Sequence, residues 1–138
     1  MLSFATIMLL AGIGIPIMAA MTSSLGRHLS SPTAASAFAF LMAFCIALIA
    51  LLITDKSFIK QIPSAPKYLF VAGAFIAFYV LSISFVAPHF GVGNAIFFVL
   101  LGQLLSAALI DHYGLFGAQI NHLSTMRVSG ILVVVFGV

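Results

Sequence analysis

The stretch Phe90–Gly117, FGVGNAIFFVLLGQLLSAALIDHYGLFG, decides how the rest of the chain must be read. Within it, Val92 to Ile110 contains no charged residue. About 19 residues at 1.5 Å of rise each suffice to cross a hydrocarbon core of about 30 Å as a helix. One strongly polar side chain, Gln103, interrupts this run within a turn of its midpoint. Its amide carries two donors and an acceptor that lipid cannot satisfy, so it is expected to face protein or a water-filled cavity. Ser106 lies one turn further on, and Gly102 sits four residues before it, so close approach and polarity fall on nearly one face. Asp111 and His112 end the run at the interface, and Gly114 and Gly117 break the helical pattern beyond them.

The composition agrees. Hydrophobic residues make up 64% of the chain, charged residues 5%, and no charge precedes Arg27. A water-soluble domain needs far more charged surface. The reading is therefore a single all-α integral membrane domain, residues 1–138, with about five transmembrane helices near 2–25, 34–53, 69–87, 92–110 and 126–138. A formal charge of +3 spread over loops argues against a nucleic-acid partner. The first 24 residues lack the basic n-region of a secretory signal and are longer than its apolar core, so they read as a first span. The expected address is a bacterial inner membrane, as a multi-pass protein.

Along the first span, Gly12 to Pro16 places a proline close to the midplane. Pro16 has no amide hydrogen, and its ring crowds the Gly12 carbonyl, so a kink or opening is expected there. Interrupted helices at this depth build binding sites in transporters, but a packing kink explains the same residues equally well. In the second span Ala35, Ala39, Ala43 and Ala47 recur every four residues, a stripe suited to helix packing. The segment 54–68 holds Asp55, Lys56, Lys60, Lys67 and two prolines, and reads as an interfacial loop with one amphipathic turn. On the third span Tyr79 and Ser82 place two hydroxyls on one face, for a substrate or for a neighbouring helix. Residues 112–127 read as a loop. Val128 to Val138 is apolar but reaches only about half the hydrocarbon thickness, so a further tail is expected beyond it.

Catalysis needs a constellation, and none can be assembled. Asp55 and Asp111 are the only acids, and His28, His89, His112 and His122 all fall at span ends or in loops. HExxH, CxxC and GxSxG are absent, and Cys45 is a lone cysteine in an apolar span. No catalytic residue, metal ligand or cofactor is assigned, and the chain does not read as an enzyme. The lack of a carboxylate inside a span also argues against a proton-coupled exporter of lipophilic cations, which needs an intramembrane acid.

GIGIPIMAAMTSSLGRHLSSP (Gly12–Pro32), AFYVLS (Ala77–Ser82) and PHFGVGNAIFFVLLGQLLSAALIDHYGLFG (Pro88–Gly117) together resemble the YdcZ family of five-span bacterial inner-membrane proteins, placed in the drug/metabolite transporter superfamily. The resemblance covers nearly the whole chain, although the family often carries Asn at the position of Thr22. It implies inner-membrane residence, five helices and a transporter ancestry, without a substrate. Larger relatives in that superfamily consist of two five-helix halves of opposite orientation. A five-span chain is one such half, completed by an antiparallel dimer. Lys56, Lys60, Lys67 and Arg127 fall on the side of the N-terminus, against Arg27 alone opposite, which favours the N-terminus inside. That asymmetry weakens the case for a self-paired dimer and raises that for an oppositely oriented paralogue, but with so few charges a second copy remains slightly preferred.

The leading expectation is a transporter subunit for a small, neutral or weakly charged metabolite, working by alternating access. Its substrate site would be lined by Gly12, Pro16, Tyr79, Ser82, Gln103 and Ser106. The rival is a non-transporting membrane scaffold or accessory subunit, in which those polar groups serve only helix contacts.

Overall fold

In the computed structural model, which describes residues 2–54 and 56–137, the apolar runs become helices and no strand occurs among the described residues. The physical reason is that a helix pairs its own backbone groups, which a bilayer leaves no other way to satisfy. The helices are α1 (Leu2–His28), α2 (Pro32–Ile53), α3 (Ala72–Phe90), α4 (Val92–Tyr113) and α5 (Thr125–Gly137). Four are long and apolar enough to cross a membrane, α3 together with the 3-10 turn that leads into it; α5 has 13 residues, about 20 Å of helix. Segment 56–71 is three 3-10 turns, Lys56–Lys60, Ile62–Ser64 and Lys67–Val71. Asp55, one of the two acids, lies outside the described residues.

The chain divides into two units, Met1–Val92 and Gly93–Val138. In the first, α1, α2 and α3 pack pairwise. Every buried position falls near one end: Ala19, Thr22, Ser23 and Gly26 late in α1, Ala35 and Ser36 early in α2, and Val80, Ile83, Ser84 and Ala87 late in α3. These are mostly small or hydroxylated residues, which let helix backbones approach closely. At Gly26 the approach is close: a Cβ there would stand 3.3 Å from the Pro32 Cα and 3.7 Å from the Ala35 Cβ. Beyond this junction burial ceases. Ala43 and Ala47, the far half of the alanine stripe, are exposed, as are Gly12, Gly73 and Ile76. The unit is therefore a three-helix bundle closed at one end and splayed at the other.

A tight turn closes the packed end. Ser31 N donates to Gly26 O at 3.0 Å and Ser30 N to Arg27 O at 3.2 Å, the paired bonds of a Schellman motif. Ser30 takes its left-handed position at φ 52°, a conformation that glycine usually supplies. Ser31 then caps α2, its Oγ accepting from Ala34 N, with Pro32 at the first helical position.

In the second unit, α4 runs on to Tyr113 and stops at Gly114, which is left-handed at φ 61°. A Cβ at Gly114 would lie 2.7 Å from the Ile120 side chain. The chain then passes through the 3-10 turn Leu115–Gly117 and an irregular segment before α5. Three contacts tie this return to the end of α4: Asn121 N donates to Asp111 O, Leu123 N to His112 Nδ1, and Arg127 pairs with Asp111 at 2.8 Å.

Candidate functional site

Polar chemistry in the first unit concentrates at the three-helix junction. Ser84 donates to Val80 O at 2.6 Å and accepts from the Ser36 hydroxyl at 2.9 Å; Ser36 also lies 3.0 Å from Pro32 O. Since a hydroxyl has one hydrogen, the run is Ser36 to Ser84 to the α3 backbone. Thr22 bonds back to Met18 O at 2.8 Å, the self-satisfying pattern expected for a hydroxyl in a membrane helix. Ser23 departs from that pattern. Its Oγ is buried without a hydrogen-bond partner, and so is the Tyr79 hydroxyl. Leaving such a group unpaired costs about 1–3 kcal/mol.

Gly12 and Pro16 occupy the same face of α1 as Ala19, Ser23 and Gly26, because spacings of three, four and seven residues return to one side of a helix. Along this face burial falls from Ala19 and Ser23, both essentially inaccessible, through half-buried Pro16 to exposed Gly12. The face thus runs from the packed junction into the splayed part of the bundle. The sequence predicts a kink or opening at Pro16, yet α1 continues as one helix of 27 residues through it, so the chain does not open there. Proline removes a single bond from the ladder, and the turns on either side keep theirs in a medium where unpaired groups are costly.

Tyr79 sits at the edge of the buried face of α3, half-buried, and Ser82 is half-buried one turn later. Between α1 and α2 runs a groove of about 680 Å³, apolar except for Thr22 and lined among others by Met18, Met21, Phe38 and Met42. Methionine-rich walls of this kind adapt to irregular shapes.

On α4, Gln103 and Ser106 are both exposed. Ser106 satisfies its hydroxyl within the helix, reaching Gly102 O at 2.8 Å and Gln103 O at 3.2 Å. Among the described residues no hydrogen bond holds the Gln103 amide. Gln103 does not itself border the gap of about 450 Å³ between α4 and α5, which Leu104, Ala107, Ala108 and Ile131 line on the adjoining face. The structure thus brings Gly12 together with Pro16 on one face, Tyr79 near Ser82, and Gln103 near Ser106.

Sequence reasoning missed Ser36 and Ser84. The signal was available: each lies four residues after a carbonyl it can bond, Pro32 and Val80, among small neighbours. His112 and His122 approach to 5.5 Å between ring centroids, but no group of three metal-ligating side chains forms among the described residues.

Four helices among the described residues, each long and apolar enough to cross a membrane, define a multi-pass helical membrane protein. The chain belongs to the YdcZ family: the family model described as "Putative inner membrane exporter, YdcZ" matches residues 3–138. It is therefore an inner-membrane protein and a membrane transporter, in a family that is not a class of enzymes. No curated protein and no solved structure matches the chain.

Proposed function

We propose that the chain is one protomer of an antiparallel dimer that exports a small, neutral or weakly charged metabolite by alternating access. One observation carries the reading: Gln103, an uncharged amide halfway along an apolar spanning helix, is exposed and unpaired. A bilayer cannot satisfy it, so a partner surface or a solvated cavity must. The first unit, packed at one end and splayed at the other, supports the same reading, since a groove runs between α1 and α2. Tyr79 and Ser82 add neutral hydrogen-bonding groups. Within the spans each unit carries hydroxyl or amide groups and, among the described residues, no carboxylate or cation, which suits an uncharged cargo. Outward transport follows the family's description as exporters.

Everted membrane vesicles containing the protein should accumulate at least one member of a panel of labelled polyols, sugars and amides above vesicles that lack it. Gln103→Leu should abolish that uptake at protein densities where the dimer is retained. If no compound moves, or if Gln103→Leu transports as well as the parent chain, the reading is wrong and the polar groups serve a scaffold.

A further inference from the structure

Gln103 stands beside the midpoint of α4 and within a turn of the midpoint of its uncharged run. Helix α4 runs from Val92 to Tyr113, so Gln103 lies about 16 Å from either end. This position has a geometric consequence for a dimer whose two-fold axis lies in the membrane plane. Such an axis carries every depth in one protomer to the mirrored depth in the other, and only a residue at the midplane can meet its own copy. The amide is also self-complementary. It presents a donor and an acceptor side by side, so two amides related by a two-fold axis can form a cyclic pair of N–H to O=C bonds.

The surroundings favour such a contact. Leu100 and Ser106 flank Gln103 on α4 and are exposed, and Gly102 adjoins it with no atom near its absent Cβ. Ser106 does not compete for the amide, because its hydroxyl is already satisfied by its own helix. Nor does α5, which borders the adjacent face. No acid or base lies on α4 before Asp111, so nothing within the span offers Gln103 a charged partner instead.

Resting on the antiparallel dimer proposed above, we infer that Gln103 of one protomer hydrogen-bonds the partner's Gln103 across the two-fold axis, with α4 packed against α4. The occupant of this face is a second copy of the same chain in the opposite orientation. In hydrocarbon the two amides satisfy what each lacks alone, and residues equidistant from Gln103 become neighbours across the interface, as Leu100 opposite the partner's Ser106. A parallel dimer would instead bring each residue opposite itself.

Cysteine cross-linking in native membranes reads this register. In a background of Cys45→Ala, Gln103→Cys should form a disulfide-linked dimer on mild oxidation. Chains carrying Leu100→Cys mixed with chains carrying Ser106→Cys should cross-link, whereas Leu100→Cys alone should not. Cross-linking of Leu100→Cys with itself would overturn both the pairing and the antiparallel arrangement. A dimer that persists by size but shows neither the 103–103 nor the 100–106 link would overturn the pairing while leaving the antiparallel dimer standing. A separate measurement avoids cysteine at the contact: Gln103→Leu should weaken dimerisation in lipid by about three- to twentyfold, the range expected for interhelical hydrogen bonds in membranes. An unchanged dimer affinity would contradict the paired amides.

Discussion

The hydroxyl of Ser36 donates to that of Ser84 across 2.9 Å, joining α2 to α3 where both side chains are wholly buried. In a membrane the apolar driving force between helices is nearly absent, so contacts of this kind and close packing hold the bundle. Replacing Ser84 by Ala removes the bond but keeps the volume and should cost about 0.6 kcal/mol, at most about 1.7. Ser84→Leu should cost more, about 1–3 kcal/mol, because the junction has no room for the added carbons. Thermal unfolding of the purified protein in detergent would rank the two; a leucine tolerated as well as alanine would mean that the junction is loose.

The left-handed serine in the turn between α1 and α2 gives a prediction of opposite sign. Ser30 holds φ 52° at the position where a Schellman turn favours glycine. Ser30→Gly relieves that strain, less the entropy glycine adds to the unfolded chain, and should stabilise the protein by about 0.5–1 kcal/mol. The expected result is a higher melting temperature with unchanged helix content by circular dichroism.

Gly114 tolerates no such freedom. It combines a positive φ with the Ile120 side chain 2.7 Å from where a Cβ would sit. Gly114→Ala should destabilise the return of the chain by about 1–3 kcal/mol. Hydrogen exchange should show faster opening at Asn121 and Leu123, whose amides bond back to Asp111 and His112, with α1 to α3 unaffected.

Pro16 separates folding from function. Pro16→Ala restores a backbone hydrogen bond within a helix that is already continuous, and the protein should melt higher. Transport should fall, because the proline leaves the Gly12 carbonyl without its helical donor. Unchanged flux in the vesicle assay would remove the Gly12–Pro16 segment from the substrate path.

How far the sequence revealed this arrangement depends on which physical signal was at work. Long uncharged runs such as Val92 to Ile110 announce helices because length against bilayer thickness leaves few alternatives. The packed junction was harder to see. Ala35, Ala39, Ala43 and Ala47 are equivalent by spacing, yet only Ala35 is fully buried, because helix splay is set by where three helices converge and not by one helix's repeat. The break expected at Pro16 did not form, since proline's local penalty is outweighed by a ladder that the surrounding medium enforces. For the candidate site, Gln103 stood out as the one amide deep within an apolar run, whereas the unpaired atoms of Ser23 and Tyr79 emerged only from three-dimensional packing.

Orientation in the membrane tests the central claim most directly, because a self-paired antiparallel transporter requires one sequence to insert both ways. In a Cys45→Ala background, single cysteines at Leu29, in the turn after α1, and at Ser64, after α2, lie on opposite sides of the bilayer. Both sites are exposed, and Leu29 spares the cap that Ser31 provides. Intact cells would be treated with a membrane-impermeant thiol reagent and compared with permeabilised ones. The account predicts partial labelling at both sites, each rising to completion on permeabilisation. Complete labelling at Leu29 with none at Ser64, or the reverse, would fix a single orientation and contradict an antiparallel pair made of this chain alone.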